Sequence, residues 1–114
     1  MKIKVYQINI QRDHRWLCFL SASGLERKGI HLDALPREAY DEVYFGMVNA
    51  EDLDGAFAEL QQHLPNRPLP DGFTGHSMSV SDVVEILTPG DTLISEPAGL
   101  YFVDSIGFKS CKWA

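Results

Sequence analysis

A chain of 114 residues with 45% apolar and 11% aromatic side chains has the length and apolar content of one folded domain, which excludes wholesale disorder and a second large core. Its net charge of −6 is uneven: residues 1–37 hold seven Lys/Arg against three Asp/Glu, residues 38–104 one against thirteen, and residues 105–114 two against none. So acidic a middle repels phosphate backbones and argues against direct nucleic-acid binding through that region; it suits a basic partner.

The first element is a strand over about 2–10, where Ile3, Val5, Ile8 and Ile10 alternate imperfectly with polar residues. Gln11 to Arg15 reads as a polar connection, and Trp16-Leu17-Cys18-Phe19-Leu20 as a second, buried strand. That run is far short of the ~20 residues that cross a bilayer. With no apolar signal region at the N-terminus, the cytoplasm is the expected location, where reduced thiols are the default for Cys18 and Cys111.

Ser23-Gly24-Leu25-Glu26 matches a capping box, and Gly29 offers a left-handed stop, so a short helix is expected over about 24–29. Tyr40 to Val48 reads as a strand with Gly46 as its bulge. The principal helix follows at about 50–64. Asn49 caps it, Glu51, Asp52 and Asp54 load its positive end, Leu53, Ala56, Phe57, Leu60 and Leu64 form its apolar stripe, and Pro65 ends it. A proline-rich surface loop leads from Pro65 to Asp71. After it come the serine-rich stretch Gly75 to Val84, a turn at Pro89-Gly90-Asp91, a short Thr92-Leu93-Ile94 run, a break at Glu96 to Gly99, and a last strong element from Leu100 to Phe108. The order predicts an α+β fold: a curved, mostly antiparallel sheet of about five strands packed on one main helix plus the short one.

Candidate chemistry centres on Gly75-His76-Ser77-Met78-Ser79-Val80-Ser81-Asp82. A nucleophile elbow needs a glycine on each side of its serine, and here the second is missing. A hydrolase using His76, Ser77 and Asp82 is therefore the weaker reading. The stronger one makes Asp82 a turn former that folds its carboxylate onto nearby backbone amides before Val83-Val84-Glu85-Ile86 pairs as a core strand. The histidines at 14, 31, 63 and 76 lack zinc-site spacing, and no nucleotide-binding glycine fingerprint occurs, so neither metal nor cofactor is expected. Asp41, Glu42, Glu51, Asp52, Asp54 and Glu59 are the candidate acidic binding surface. Lys2, Lys4, Arg12, Arg15, Lys109 and Lys112 would form an alternative nucleic-acid surface if the terminal strands pair.

Two segments, Phe73-Thr74-Gly75-His76-Ser77-Met78-Ser79-Val80-Ser81-Asp82-Val83-Val84 and Tyr101-Phe102-Val103-Asp104-Ser105-Ile106-Gly107-Phe108, resemble the paired signature of the YodL-like family and of related domains attached to large polyvalent proteins of phages and conjugative elements. The first strand and Tyr40 to Tyr44 agree more loosely, and residues 88–99 are longer than that pattern's hairpin. The resemblance implies a single such domain over 1–114: an accessory protein of a bacterial mobile element or phage, with no catalytic residues to carry over. Gly75, Ser77, Ser79, Ser81, Asp82, Asp104, Ser105, Gly107 and Phe108 then read as architectural, with Ser105 to Phe108 closing the sheet beside Val83 to Ile86. The functional expectation is a non-enzymatic protein that binds another protein through acidic surface, in one version a basic, nucleic-acid-binding host or defence protein.

Overall fold

Alternation dictates the first strand, β1 (Lys2–Ile8), which sends Ile3, Val5 and Gln7 to one face of the sheet and Lys2, Lys4, Tyr6 and Ile8 to the other. In the computed structural model, which describes residues 1–9, 15–61, 69–91 and 93–114, β1 lies between β2 (Tyr40–Met47) and β3 (Val83–Thr88). Beyond β3 follow β4 (Gly99–Val103) and β5 (Phe108–Ser110), giving the order β2-β1-β3-β4-β5 with every neighbour antiparallel. The sheet is the α+β scaffold expected.

The bulge in β2 falls at Val43 rather than Gly46: Val5 pairs with Tyr44 and Tyr6 with Glu42, leaving Val43 as the extra residue. Gly46 has a different task. A Cβ there would strike the Tyr44 ring, which folds back so that its hydroxyl donates to the Met47 carbonyl at 3.1 Å.

Both faces of the sheet are covered, not one. On the first, Ile3, Val5, Val84, Ile86, Tyr101 and Val103 meet Leu53, Ala56 and Leu60 of α2 (Leu53–Glu59) and its C-cap. On the second, Tyr6, Ile8, Val83 and Phe102 meet Leu25 of α1 (Ala22–Arg27), together with Leu17, Leu35 and Cys111. Phe102 and Ile3 are wholly inaccessible, and a fully buried side chain of this size contributes about 1.5–3 kcal/mol.

α2 is shorter than expected at both ends, running from Leu53 to Glu59 with Leu60 as its C-cap. Asp52, not Asn49, is the N-cap, its carboxylate accepting from Gly55 N at 2.8 Å. Asn49 N donates instead to the Glu59 carboxylate, which ties the approach to the helix to its far end. The expected stop at Leu64 and Pro65, and the loop residues to Pro68, lie outside the described residues.

α1 begins two residues before the expected start because Ser21, not Ser23, accepts from Gly24 N. Its end agrees with the reading: Gly29 at φ +80° donates to Glu26 O and Ile30 N donates to Leu25 O, a left-handed helix stop.

The second strand expected at Trp16 to Leu20 does not form. Arg15–Leu17 is a 3-10 turn in which only Leu17 is buried, and Phe19 sits at φ +65° with its ring exposed. A five-residue apolar run carries no period that separates strand from turn.

Candidate functional site

Between β2 and β3 the chain runs through the serine-rich stretch, and its shape is set by Asp82. Its Oδ2 accepts from Ser79 N at 2.9 Å and from Gln7 Nε2 at 3.0 Å, the local turn its sequence position foretells. Gln7 is 2% exposed and does more: Nε2 also donates to His76 O, and Oε1 accepts from His76 N. A Cβ on Gly75 would collide with that amide and with Val43, so only glycine fits there. Desolvation pushes the Asp82 carboxyl up to about 7, against the lowering pull of the Ser79 amide, Gln7 and His76.

Ser81 anchors the other side. It is buried at φ +82°, its Oγ accepts from Phe19 N at 3.0 Å, and its carbonyl accepts from the Tyr40 hydroxyl at 2.8 Å. Its amide donates to Val103 O, while Val103 N donates to Asp82 O. The Ser79 hydroxyl is buried with no hydrogen-bond partner.

Asp104 is the matching device at the end of β4. Its Oδ1 accepts from Ala22 N at 3.0 Å, capping α1 from outside that helix, and from Ser105 N at 2.8 Å; Oδ2 pairs with Lys109 at 3.3 Å. Although desolvation opposes it, the Ala22 and Ser105 amides and Lys109 hold this carboxyl below its ordinary range. Asp104 N donates to Gly107 O, and Gly107 takes φ +72° to close the turn.

The segment beside Val83 to Ile86 is Gly99 to Phe102, with Val83 opposite Phe102 and Val84 opposite Tyr101. Ser105 to Gly107 form the turn beyond it, correcting the expectation that they close the sheet there. Ile106 is 89% exposed at that turn, and Phe108 opens β5. The two signature segments thus lie side by side, joined through Ser81, Asp82 and Val103. A family model described as YodL-like domain matches residues 2–113. The chain belongs to the YodL-like domain family. No curated protein and no solved structure matches it.

The acidic candidates of this YodL-like domain do not share one surface. Asp41 and Glu42 are exposed on β2, where Glu42 pairs with Lys4 at 3.3 Å on the sheet face away from α2. Glu51, Asp52 and Asp54 gather at the start of α2, with Glu59 at its end. Two carboxylates that the sequence reading missed join the group at the start of α2. Glu96 Oε2 accepts from Leu53 N at 3.0 Å, and Asp91 stands against Glu51, whose Oε2 accepts from Asp91 N at 3.1 Å. No Lys or Arg lies between residues 38 and 104 except Arg67, so this end gains no cation from its own stretch of described chain.

The basic candidates are also divided. β1 pairs with β2 and β3, not with β5, and two strands separate it from Lys109, a gap of roughly 14 Å at the usual strand spacing. Lys2 and Lys4 instead flank the exposed Phe45 ring at 4.9 and 5.4 Å. Arg15 precedes the 3-10 turn residue Trp16, Lys112 lies past β5 with its amide on Leu32 O, and Arg12 lies outside the described residues.

Two of the three groups of the hydrolase reading have partners outside it. His76 Nδ1 lies 2.7 Å from the Ser77 carbonyl, and Asp82 Oδ2 takes the Ser79 and Gln7 donors, so these contacts do not form a nucleophile–base–orienter chain. Both cysteines are free; burial raises the Cys18 thiol and pushes Cys111 up to about 12, which disfavours a reactive thiolate. Among the described residues no cluster of three or more His, Cys, Asp or Glu could hold a metal, and no helix is long and apolar enough to cross a membrane; His14 and His63 lie outside them. The signal for Gln7 was present in the sequence: a polar residue at the inward parity of Ile3 and Val5 needs a buried partner.

Proposed function

We propose that this YodL-like domain is a non-catalytic accessory protein that binds another protein through the acidic end built around the start of α2. One observation carries the reading: Glu51, Asp54, Asp91 and Glu96 converge there in a stretch nearly devoid of Lys and Arg. A surface of that sign selects a partner with a basic face. The side-chain contacts of His76 and Asp82 support a binding rather than a catalytic role, because they are directed to holding the chain in shape.

The resemblance of its two signature segments to domains carried by phages and conjugative elements supports a mobile-element setting. In that setting the partner is a nucleic-acid-binding host or defence protein, and the domain acts as an anti-defence, anti-CRISPR-like inhibitor whose carboxylates compete for Lys/Arg that would otherwise hold phosphates. Affinity capture from a bacterial lysate compares the unaltered domain with a Glu51→Lys/Asp54→Lys variant, both held well below their melting temperatures. A basic protein retained at low salt, released by high salt and lost with the variant is the expected result. Equal retention by both proteins removes the reading.

A second reading has an observation of its own. Lys2 and Lys4 beside the open Phe45 ring resemble a stacking platform for single-stranded nucleic acid. Glu42 and Glu85 share that sheet face and oppose it. A gel shift at low salt that disappears with Phe45→Ala would favour this reading over the first.

A further inference from the structure

Where α2, the serine-rich stretch and the β4–β5 turn meet, a pocket of about 210 Å³ is walled by Phe57, Val80, Val103 and Phe108, with Asp54 at its rim. Asp54 and Phe57 stand three residues apart on α2, so they share a helix face and the carboxylate lies beside the ring. Val103 and Phe108 are opposite each other where β4 and β5 begin to pair, across the turn that Gly107 closes at φ +72°. Phe57 and Phe108 meet edge to face, their centroids 6.1 Å apart and their planes at 75°. Both are half-buried, so part of each ring faces the pocket.

The charge of this pocket is negative and uncompensated. Asp54 is exposed, and its carboxylate has no hydrogen-bond or ion-pair partner among the described residues. Asp104 also lines the pocket, but its carboxylate is taken up by Ala22 N, Ser105 N and Lys109. Lys109 follows Phe108 on β5 and so points to the opposite face of the sheet, where it lines a separate depression with Ser23 and His31. Among the described residues no Lys, Arg or His lines the pocket beside Asp54.

An apolar slot with one free carboxylate at its mouth fits a side chain that is aliphatic along its length and cationic at its tip. We propose that this pocket takes an arginine side chain of the partner protein, its methylenes against Val80 and Val103, its guanidinium beside the Phe57 and Phe108 rings and paired with Asp54. Arginine is selected over lysine because its planar, weakly hydrated head stacks on aromatic faces, whereas an ammonium keeps its water. The proposal rests on the acidic-end reading, with which it shares Asp54, and names the anchor that a field of carboxylates alone does not specify. Glu51, Asp91 and Glu96 steer the basic face, and the pocket fixes its register.

Amide chemical shifts of the full chain at low salt, titrated with the peptide acetyl-Gly-Ser-Arg-Ser-Gly-amide, are the test. Saturable changes should centre on Asp54, Phe57, Gly107 and Phe108, with a Kd on the order of 1 mM, the affinity of a single anchored side chain. The same peptide with citrulline, which keeps the shape and loses the charge, should bind at least about tenfold more weakly. Asp54→Asn and Phe57→Leu should each weaken the arginine peptide roughly three- to fivefold, as loss of an exposed ion pair or of a cation–π contact does. Citrulline or lysine peptides that bind as tightly as arginine, changes centred elsewhere, or variants that bind like the unaltered chain overturn the proposal. The two tests fail separately: a peptide that does not bind leaves a captured basic protein standing, and a lysate without such a protein removes the acidic-end reading while the pocket still binds its peptide.

Discussion

Asp82 concentrates the energetics of the serine-rich stretch in one carboxyl. It is 1% exposed and lies beyond hydrogen bonding to any described cation, so burial disfavours its charge even though two donors favour it. Because its folded-state value is raised to about 7, the native chain holds a proton that the unfolded chain releases near pH 4. Its contribution to stability is therefore fully present below about pH 4 and is lost as pH rises toward and through about 7. Thermal melts from pH 4 to 8 should show Asp82→Asn gaining on wild type as pH rises, by a differential of order 2–4 kcal/mol. A constant gap would contradict this. At pH 5, Asp82→Ala should cost about 2–3 kcal/mol, since Ser79 N and Gln7 Nε2 lose a buried acceptor.

Ser79 and Ser81 separate on the same scale. Ser79→Ala should melt within about 0.5 kcal/mol of wild type, because its hydroxyl satisfies nothing. Ser81→Ala should lose about 1 kcal/mol with the bond from Phe19 N. Denaturant midpoints at constant slope distinguish them. Gly75→Ala should cost roughly 2 kcal/mol, far more than either serine change, because its methyl meets the Gln7 amide and Val43, which cannot both retreat.

Among the elements, α1 and the β4–β5 hairpin depend on one side chain. Asp104 caps Ala22 of the helix, holds Ser105 in the turn and pairs with Lys109 of β5. Asp104→Ala should cost about 1–2 kcal/mol and should loosen two elements at once, raising amide exchange both at Ala22 to Leu25 and at Phe108 to Ser110. Loss of protection at only one of them would break the proposed linkage. The Lys109 pair adds little, since the ammonium is more than half exposed to solvent. α2 is similarly held from outside, with Asp52 as its own cap and Glu96 reaching Leu53 N from the β3–β4 connection. A seven-residue helix is too short to persist without such anchors and without Leu53, Ala56 and Leu60 in the core.

At the scale of the whole molecule, the sheet separates two environments. α2 and the carboxylates at its start lie on one side, and α1 and the 3-10 turn at Leu17 on the other. Phe102, wholly buried in the second cluster, should cost about 3–5 kcal/mol when cut to alanine, a loss visible in a chemical melt. This polarity underlies the proposed contact, in which the acidic end meets a basic face of the partner protein. Glu51→Lys/Asp54→Lys should weaken this contact and also lower the melting temperature modestly, since Glu51 holds Asp91 N and Asp54 lies in the first turn of α2, so binding is compared well below both melts.

Much of the fold was legible because it depends on local pattern. The alternation of Ile3 and Val5, the stripe of Leu53, Ala56 and Leu60, the left-handed stop at Gly29 and the turn at Asp82 each follow from short-range sterics and hydrogen bonding, which a sequence carries residue by residue. Trp16 to Leu20 defeated that logic because an apolar run of five has no period, and its conformation is chosen by where Leu17 can be buried. Strand order, the cap that Asp104 lends to α1, the service of Gln7 to a loop nearly seventy residues away and the pairing of Lys4 with Glu42 were all decided by the tertiary structure. Each depends on which distant segments meet. Burial energy and backbone pairing settle that for the chain as a whole, and no local spacing encodes it.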